Sequence, residues 1–355
     1  MEARRRLRVA IDARALEGGE TTGVGRYIEA LLRGLAAYSD LELGHYGRRA
    51  PALLGPHLLS PLQMRRDGAG LIHGPANALP LLRFGLPGVV TVHDLAIYDH
   101  PDWFPGGQSF ATRVVVPRSI RGAEVVVCPS MATRDAIARL FDVPPERCRV
   151  IPHGVESAFG QPVPMAAGEQ VKRRYGLPQR YLLQVGTIQP RKNYLVTLRA
   201  LARLPERERL PLIAVGNFGW DYQPVVEAVS RLGLRDHVRF VGYAGLADLP
   251  AIYQLAQAAV FPSLDEGFGL PVLEAFAAGT PLAASNAGAI PEVAGEAALL
   301  CAPEDDAALA VSLQRLLNDE ALRSRLVAAG RQRAEQFSWQ RSAAAHYRVY
   351  ESLAA

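Results

Sequence analysis

Short runs of apolar, β-branched residues alternate along the chain with longer stretches in which apolar residues recur at helical spacing. Near-continuous apolar strands that are separated by helices are typical of parallel sheets covered by helices on both faces. The pattern therefore predicts an α/β fold with two doubly wound parallel sheets in series. Ligands of such sheets bind beyond the carboxyl ends of the strands, which is where candidate site residues are expected.

The predicted strands form two groups of six. They lie at residues 7–13, 41–47, 70–74, 88–93, 124–129 and 148–152 in the first half, and at 180–187, 210–216, 237–243, 258–262, 280–285 and 297–300 in the second half. The segment 157–168 carries no charge and is rich in Gly, Pro and Ala, which indicates a linker between two domains. Residues 1–160 are therefore predicted to form one domain and residues 161–338 a second. Amphipathic helices are predicted over 307–335 and 339–353.

The composition is that of an ordinary folded protein, with 49% hydrophobic and 21% charged residues. A length of 355 residues suits two domains that each have a full core. The formal net charge of +4 is too small to indicate nucleic acid as a partner, so none is expected.

Cysteine spacing and hydrophobic runs indicate the compartment. The three cysteines, Cys128, Cys148 and Cys301, are odd in number and far apart, which favours a reducing, cytoplasmic compartment over a disulfide framework or a CxxC metal pair. The apolar run that follows the basic N-terminus is too short for a signal peptide. The longest charge-free run, residues 275–291, is interrupted by glycine and proline, which is not expected of a membrane-spanning helix.

The most informative stretch runs from Ser263 to Ala275 and reads SLDEGFGLPVLEA, directly after the predicted strand at 258–262. Its two glycines free the backbone, and Pro271 stands where a helix would begin. Exposed backbone N–H groups and the positive end of this helix would form an anion site. The residues that contribute those N–H groups are Gly267, Phe268, Gly269 and Leu270.

Two glutamates, Glu266 and Glu274, flank this anion site, one in the loop and the other in the first or second helical turn. A carboxylate accepts hydrogen bonds well from two vicinal hydroxyls, so both glutamates suit sugar rings on either side of a phosphate. The alternative is that Glu274 only favours the helix N-terminus and that Glu266 is a solvated loop acid.

A basic loop follows the predicted strand at 180–187 and reads GTIQPRKN from Gly186 to Asn193. Arg191 and Lys192 stand where the next helix should start, and the helix dipole disfavours cations there unless an anion is bound. A diphosphate would resolve this conflict, because arginine offers a fork and lysine a point charge to phosphate oxygens. The alternative is a solvated basic turn.

Two further candidates lie in the first half of the chain. His93 and Asp94 lie at the carboxyl end of the predicted strand at 88–93. An imidazole there can bind a sugar hydroxyl or transfer a proton, although a histidine in this position can also be structural. The segment TGVGRY contains Gly23 and Gly25, too few glycines for a dinucleotide fingerprint, and a flexible turn before a helix is the alternative.

Together these motifs resemble the retaining glycosyltransferases of family 4, whose mark is Glu, seven residues and Glu in an EGFGLPxLEA context. The resemblance extends over nearly the whole chain and implies the GT-B fold, in which two Rossmann-like domains face a central cleft. It implies that Glu266 contacts hydroxyls of the donor sugar, that Glu274 binds the nucleotide ribose, and that the amides between them hold the diphosphate. It also implies that the C-terminal helix, 339–355, joins the first domain.

The same resemblance assigns roles to other positions. Arg191 and Lys192 would bind the donor pyrophosphate and stabilise the leaving nucleotide. His93 and Asp94 would lie in the donor-sugar and acceptor region. The remaining positions that it associates with donor binding are Gly23, Gly25, Gly186, Asn217, Val241 and Tyr243.

The resemblance implies an enzyme that transfers a hexose with retained configuration. No metal is expected, because the sequence contains no Asp-x-Asp pair to hold one on a sugar diphosphate. GDP-mannose is the expected donor and a glycan or lipid-linked glycan the expected acceptor, because TVHDL, HPDWFP and RKN resemble segments of bacterial mannosyl- or rhamnosyltransferases of surface polysaccharide synthesis. UDP-sugars are the alternative donors, and a NAD-dependent oxidoreductase or an inactive nucleotide-binding protein are alternatives of another class.

A lipid-linked acceptor implies peripheral contact with the inner face of the plasma membrane. Arginines of the first domain could meet anionic headgroups there, or they could be ordinary solvated residues. The arginines concerned are Arg4, Arg5, Arg6, Arg65, Arg66, Arg113, Arg118 and Arg121.

Overall fold

A computed structural model of the protein describes residues 6–16, 23–46, 55–106 and 109–354. The chain divides into two compact units. The first unit contains Met1–Gly154 together with Trp339–Ala355, and the second contains Val155–Ser338. Each unit is built on a six-stranded sheet in which neighbouring strands run parallel.

The strands within the described ranges agree in position with the apolar runs of the sequence. In the first unit they are β1 (Leu7–Asp12), β2 (Leu41–Tyr46), β3 (Leu71–Gly74), β4 (Gly88–Thr91), β5 (Val125–Cys128) and β6 (Cys148–Val150). In the second unit they are β7 (Leu182–Val185), β8 (Leu212–Val215), β9 (Val238–Gly242), β10 (Ala258–Phe261), β11 (Leu282–Ser285) and β12 (Leu299–Cys301).

Helices connect these strands, and none of those described is both long enough and apolar enough to cross a membrane. In the first unit they are α1 (Gly23–Leu35), α2 (Ser60–Arg66), α3 (Ala96–Asp99), α4 (Val116–Gly122), α5 (Met131–Phe141) and α14 (Trp339–Ala354). In the second unit they are α6 (Met165–Tyr175), α7 (Tyr194–Arg203), α8 (Gln223–Arg231), α9 (Leu249–Gln254), α10 (Leu270–Ala278), α11 (Ile290–Ala294), α12 (Asp306–Asn318) and α13 (Glu320–Ala334).

In each sheet, successive strands of the chain are added first on one side of the starting strand and then on its other side. The first sheet has the order β2-β1-β3-β4-β5-β6, so the change falls between β1 and β3. The second has the order β12-β11-β10-β7-β8-β9, and its change falls between β7 and β10. Open α/β sheets bind ligands beyond the carboxyl ends of the strands at such a point. In the second unit this directs attention to the loops that follow β7 and β10.

The second sheet has an apolar core on both of its faces. In β7, Leu182 packs into one cluster and Leu183 into the cluster on the opposite face. In β8, Leu212 and Ile213 divide in the same way. Because successive side chains of a strand point to opposite faces, burial on both sides explains why these strands are apolar at nearly every position.

Two predicted boundaries differ from the structure. The helix predicted over 307–335 is interrupted at Asp319, whose side chain accepts the N–H of Leu322 and caps α13. The linker predicted over 157–168 contains a short 3₁₀ turn at Ser157–Gly160 and the start of α6 at Met165. The second unit accordingly begins at Val155, six residues before the predicted start at 161.

A chain of hydrogen bonds attaches α14 to the sheet of the first unit. The Nδ1 of His346 lies 2.8 Å from the carbonyl oxygen of Ser342, and its Nε2 lies 2.8 Å from the Tyr27 hydroxyl. The Tyr27 hydroxyl lies 2.9 Å from Oγ1 of Thr91. We call the residues Tyr27, His73, Thr91, His346 and Tyr350 the histidine chain.

The other half of the histidine chain leads back to the same helix. Oγ1 of Thr91 lies 2.8 Å from Nε2 of His73, whose Nδ1 lies 2.7 Å from the Tyr350 hydroxyl. Burial lowers the pKa of His73 well below its usual value and that of His346 to about 4, so both rings are neutral at neutral pH.

Because both histidine rings are neutral, all hydrogen bonds of the histidine chain run in the same donor-to-acceptor direction. Since a carbonyl only accepts, Nδ1 of His346 donates to Ser342 and its Nε2 must accept from Tyr27. Tyr27 then accepts from Thr91, and Thr91 accepts from Nε2 of His73. The remaining nitrogen of His73 accepts from Tyr350. The tautomers of both histidines are thus fixed by one backbone carbonyl.

We expect the first unit to lose stability as the pH falls below 6.5. His346 has a pKa of about 4 in the folded chain and about 6.5 when unfolded, so the unfolded chain binds more protons and acid favours it. Its contribution is complete above pH 6.5, and about 2 kcal/mol of it is lost between pH 7.5 and pH 5.

Hydrogen exchange of the full chain between pH 7.5 and pH 5, corrected for the intrinsic exchange rate, measures this loss. Peptides from β3, β4 and α14 should lose protection with acid, and His346→Asn should make their pH dependence shallower. Peptides from β10 serve as an internal control, because the second unit contains one histidine, His237. Equal pH dependence in the two units would contradict the prediction.

Candidate active site

The loops that follow β7 and β10 are joined by reciprocal hydrogen bonds. The N–H of Leu264 donates to the carbonyl oxygen of Arg191 at 2.8 Å. The guanidinium of Arg191 donates to the carbonyl oxygen of Asp265 at 2.9 Å. These contacts bring the basic loop and the first predicted glutamate together at the point where the sheet changes side.

Glu266 lies between the two cations of the basic loop. Its Oε2 is 2.8 Å from Nη1 of Arg191, and its Oε1 is ion-paired with Nζ of Lys192. Burial alone would raise the pKa of Glu266, but the charges of Arg191 and Lys192 outweigh it and lower the pKa to about 2. The three side chains are 10–14% exposed, so this charged triad is largely withdrawn from solvent.

Lys192 is further positioned by its own loop. Its Nζ lies 5.0 Å from the centroid of the Phe261 ring, a cation–π contact at the end of β10. Its carbonyl oxygen accepts a hydrogen bond from Nε2 of Gln184 at 2.9 Å, and Oε1 of Gln184 accepts from Thr197 at 2.8 Å. Lys192 is also one of only two lysines in the chain, the other being Lys172.

Asn193 connects the basic loop to two other loops. It has a left-handed backbone conformation with φ of +53° and precedes the first residue of α7. Its side-chain Nδ2 donates to the carbonyl oxygens of Pro262 at 3.0 Å and Pro303 at 2.6 Å. Asparagine tolerates this conformation better than most residues, which accounts for its presence between the 3₁₀ turn Pro190–Lys192 and α7.

The second predicted glutamate is in the second turn of α10. Glu274 is 1% exposed, and its Oε2 accepts a hydrogen bond from the Tyr253 hydroxyl at 3.0 Å. The sequence did not indicate Tyr253, because it lies 21 positions away on α9. The role of Glu274 on a ribose stays a prediction.

The backbone between the two glutamates is less exposed than the sequence suggested. Gly267, Phe268 and Gly269 are all buried, because Phe268 packs into the core with its ring centroid 5.9 Å from that of Phe337. Leu270 is half-buried and is the first residue of α10, after Gly269 at φ of +99°. Pro271 has no N–H, and the N–H of Val272 already donates to the carbonyl oxygen of Gly269 at 3.0 Å, so an anion at the start of α10 is favoured mainly by the positive end of the helix.

Gly288 is a residue that the sequence analysis missed. A Cβ atom there would lie 2.4–2.7 Å from atoms of Asp265 and Glu266, so only glycine allows the loop after β11 to approach. The N–H of Ala289 then donates to the carbonyl oxygen of Glu266 at 2.8 Å. The backbone of Glu266 is thereby held in place.

Three glycines line the ends of β7, β8 and β9. Gly186, Gly216 and Gly242 all have positive φ angles, and a Cβ on Gly216 would lie 2.2 Å from the carbonyl oxygen of Gly186. The N–H of Gly216 donates to Gly242 at 2.8 Å, and that of Ile188 donates to Asn217 at 2.9 Å. Two further donor-binding candidates lie near the end of β9: Val241 within the strand is half-buried, and Tyr243 just after it is 45% exposed.

His93 lies in the first unit and is oriented by partners other than Asp94. Its Nε2 donates to the carbonyl oxygen of Pro75 at 2.7 Å, so its Nδ1 accepts from Nε2 of His153 at 3.3 Å. Burial lowers the pKa of His93, against the opposing effects of Pro75 and Asp94. A sugar hydroxyl that bound this ring would have to replace one of these two hydrogen bonds.

The N-terminal glycine loop meets His93 through Tyr27. Gly23 and Gly25 lie in the first turn of α1, the former exposed and the latter buried. Residues 17–22 of the same loop lie outside the described residues. The ring of Tyr27 lies edge-on to that of His93, with centroids 4.8 Å apart. The structure therefore places α1, which Gly23 and Gly25 begin, beside His93, and in the second unit it joins Arg191, Lys192 and Glu266 directly.

Comparisons with known proteins identify the family. A profile described as "Glycosyl transferases group 1" matches residues 169–333, and one described as "Glycosyltransferase Family 4" matches residues 40–159. The O-antigen chain mannosyltransferase B of Escherichia coli is 32% identical over 374 residues, covering 94% of this chain and 96% of that protein. The chain belongs to glycosyltransferase family 4. This excludes the alternative of a NAD-dependent oxidoreductase.

Solved structures show the fold of this glycosyltransferase. The sucrose-phosphate synthase of Thermosynechococcus elongatus has a TM-score of 0.80 and 24% identity, covering 98% of this chain and 99% of that one. HepE from Anabaena, solved in complex with UDP-glucose, has a TM-score of 0.75 and 18% identity, covering 98% of each chain. The GT-B fold, with two parallel six-stranded sheets and surrounding helices, is thereby confirmed.

We expect Asn193 to control the position of the basic loop of the glycosyltransferase. Asn193→Gly should destabilise the second unit by about 1–3 kcal/mol, because it removes two hydrogen bonds but tolerates the left-handed backbone. Asn193→Ala should cost about 1 kcal/mol more, because a Cβ disfavours that conformation. Urea unfolding of both variants measures the difference, and equal stability of the two would show that the backbone conformation is not under constraint.

Proposed function

We propose that the protein transfers mannose from GDP-mannose to a hydroxyl group of a glycan or lipid-linked glycan, with retention of anomeric configuration. The observation that carries this proposal is the charged triad of Arg191, Lys192 and Glu266 at the point where the second sheet changes side. It combines cations suited to a diphosphate with a carboxylate suited to sugar hydroxyls. The Escherichia coli relative is named as a mannosyltransferase, which supports mannose as the sugar.

Each member of the site has a role in this proposal. Arg191 and Lys192 bind the diphosphate together with the positive end of α10, and they stabilise the negative charge that develops on the leaving nucleotide. Glu266 accepts hydrogen bonds from the donor sugar, and Glu274 binds the ribose. The resemblance assigns His93 to the sugar region, and we propose that its ring binds a sugar hydroxyl.

Retention follows in this proposal from attack on the face that the nucleotide leaves. Glu266 is a poor covalent nucleophile, because its two oxygens are ion-paired and its pKa is about 2. We therefore propose that the leaving phosphate takes the proton of the acceptor hydroxyl. Catalysis then rests on the positioning of the reactants and on charge stabilisation.

No metal ion is required in this proposal. Arg191 and Lys192 place positive charge at the diphosphate and stabilise its negative charge, as a divalent cation does at other phosphoryl-transfer sites. Activity should therefore persist in the presence of EDTA. A UDP-sugar is the alternative donor, because HepE, which shares the fold, was solved in complex with UDP-glucose.

A thermal-shift and calorimetry panel of GDP, GDP-mannose, UDP, UDP-glucose, ADP and NAD, with EDTA present, tests the donor. A ligand at 100 times its Kd stabilises the folded chain by about 2.7 kcal/mol, so GDP and GDP-mannose should raise the melting temperature most. Lys192→Ala should weaken GDP binding about tenfold or more, because a charge-assisted bond to phosphate is lost.

Lys172→Ala is the matched control, because Lys172 is the other lysine and pairs with Glu169 on the surface of α6. It should leave GDP affinity unchanged. If only UDP and UDP-glucose stabilise the protein, the donor is a UDP-sugar and not GDP-mannose. Equal weakening by both lysine variants would contradict the placement of the diphosphate.

We also propose peripheral contact with anionic lipid, since a lipid-linked acceptor lies at a membrane. Arg6, Arg65, Arg66, Arg113, Arg118 and Arg121 are all exposed, and Arg4 and Arg5 lie outside the described residues. The protein should sediment with phosphatidylglycerol vesicles at low salt and detach at high salt. Arg65→Glu with Arg66→Glu should weaken this, whereas Arg207→Glu on the second unit should not. Equal sedimentation with phosphatidylcholine vesicles would contradict an electrostatic contact.

A further inference from the structure

The carboxylate of Glu266 occupies the cations that the proposed function gives to the diphosphate. Oε2 of Glu266 is 2.8 Å from Arg191, and Oε1 is paired with Lys192. Both glutamate oxygens are therefore engaged before any phosphate arrives. A diphosphate that binds these cations must compete with an anion that is already there.

The competition matters because the triad is withdrawn from water. Glu266 is 8% exposed, and its backbone is held by the N–H of Ala289 and by the close approach of Gly288. In this position the carboxylate has little contact with water when its cations turn to another anion. A buried carboxylate that loses its partners is strongly disfavoured unless new hydrogen-bond donors replace them.

The intact donor and the free nucleoside diphosphate differ in what they offer this carboxylate. Both supply phosphate oxygens to Arg191 and Lys192. Only the donor also carries sugar hydroxyls, which can donate to Glu266 and compensate for the weakened ion pairs. The free diphosphate supplies further negative charge near Glu266 and no such donors.

We propose that Glu266 makes the site discriminate against the free nucleoside diphosphate. Once the sugar has been transferred, the nucleoside diphosphate that remains therefore binds more weakly than the intact donor did. This inference rests on the proposed function, because it takes the diphosphate to bind at Arg191 and Lys192. Glu266 is then a specificity-determining residue that sets the ratio of donor affinity to product affinity.

Glu266→Gln tests this proposal, because glutamine has nearly the same shape but no charge. The two cations then lack their anion, so the affinity for GDP should rise about tenfold or more. GDP-mannose should gain less, because glutamine is a poorer acceptor for its hydroxyls. Asp248→Asn is the matched control: Asp248 pairs in the same unit with Arg174, whose side chain is 61% exposed, and loss of this carboxylate charge should leave both affinities unchanged.

Calorimetry of both ligands on the three proteins measures these changes, with UDP and UDP-glucose used instead if the wild type prefers them. A rise in GDP affinity with a smaller change for the donor supports the proposal. Unchanged or weaker GDP binding by a folded Glu266→Gln variant overturns it. Absence of any nucleotide binding by the wild type would instead refute the proposed function.

A second measurement needs no variant of Glu266. Reductive methylation with ¹³C-formaldehyde labels the two lysines, and Lys172 on the surface serves as the reference signal. If the ammonium of Lys192 exchanges its carboxylate partner for phosphate, its signal should shift on addition of GDP while that of Lys172 stays. A Lys192 signal that does not move at saturating GDP overturns the proposal even if the glutamine variant fails to fold.

Discussion

The candidate site of the second unit depends on the strand order of its sheet, in which strands are added on one side of β7 up to β9 and on the other side from β10 onward. At that point two loops leave neighbouring strands, and the side chains of Arg191, Lys192 and Glu266 meet between them. The residues found there are two cations and a carboxylate, tied together through Asp265 and Leu264 backbone groups. A charged cluster can persist with little water around it because each charge has a partner of opposite sign.

The strands could be predicted from sequence because burial on both faces leaves apolar residues at nearly every position of each strand. The two loops could be identified because glycines and charged residues follow those strands. The pairing of Lys192 with Glu266 could not be predicted, because the residues are 74 positions apart and only the packing of two loops brings them together. Gly288 escaped notice for the same reason, and the hydrogen bonds of Asn193 to Pro262 and Pro303 could not be predicted either. The break at Asp319 was missed because the apolar spacing continues across it.

The two units stabilise their buried polar groups in different ways. In the first unit the histidine chain is neutral throughout, and each hydrogen bond is satisfied by the orientation of the next group. In the second unit the charges of the triad cancel only in part, which leaves an excess of one positive charge. A neutral network supports a fixed interior, whereas an incompletely neutralised one retains affinity for an anion.

The histidine chain also has a consequence for the order of folding during synthesis. His346 and Tyr350 belong to the last helix, whereas Tyr27, His73 and Thr91 precede residue 100. While the ribosome is still translating, Tyr27 lacks its bond to His346 and His73 lacks its bond to Tyr350. The second unit is continuous in sequence and can complete its sheet earlier. The residues made first are therefore among the last to reach their final environment.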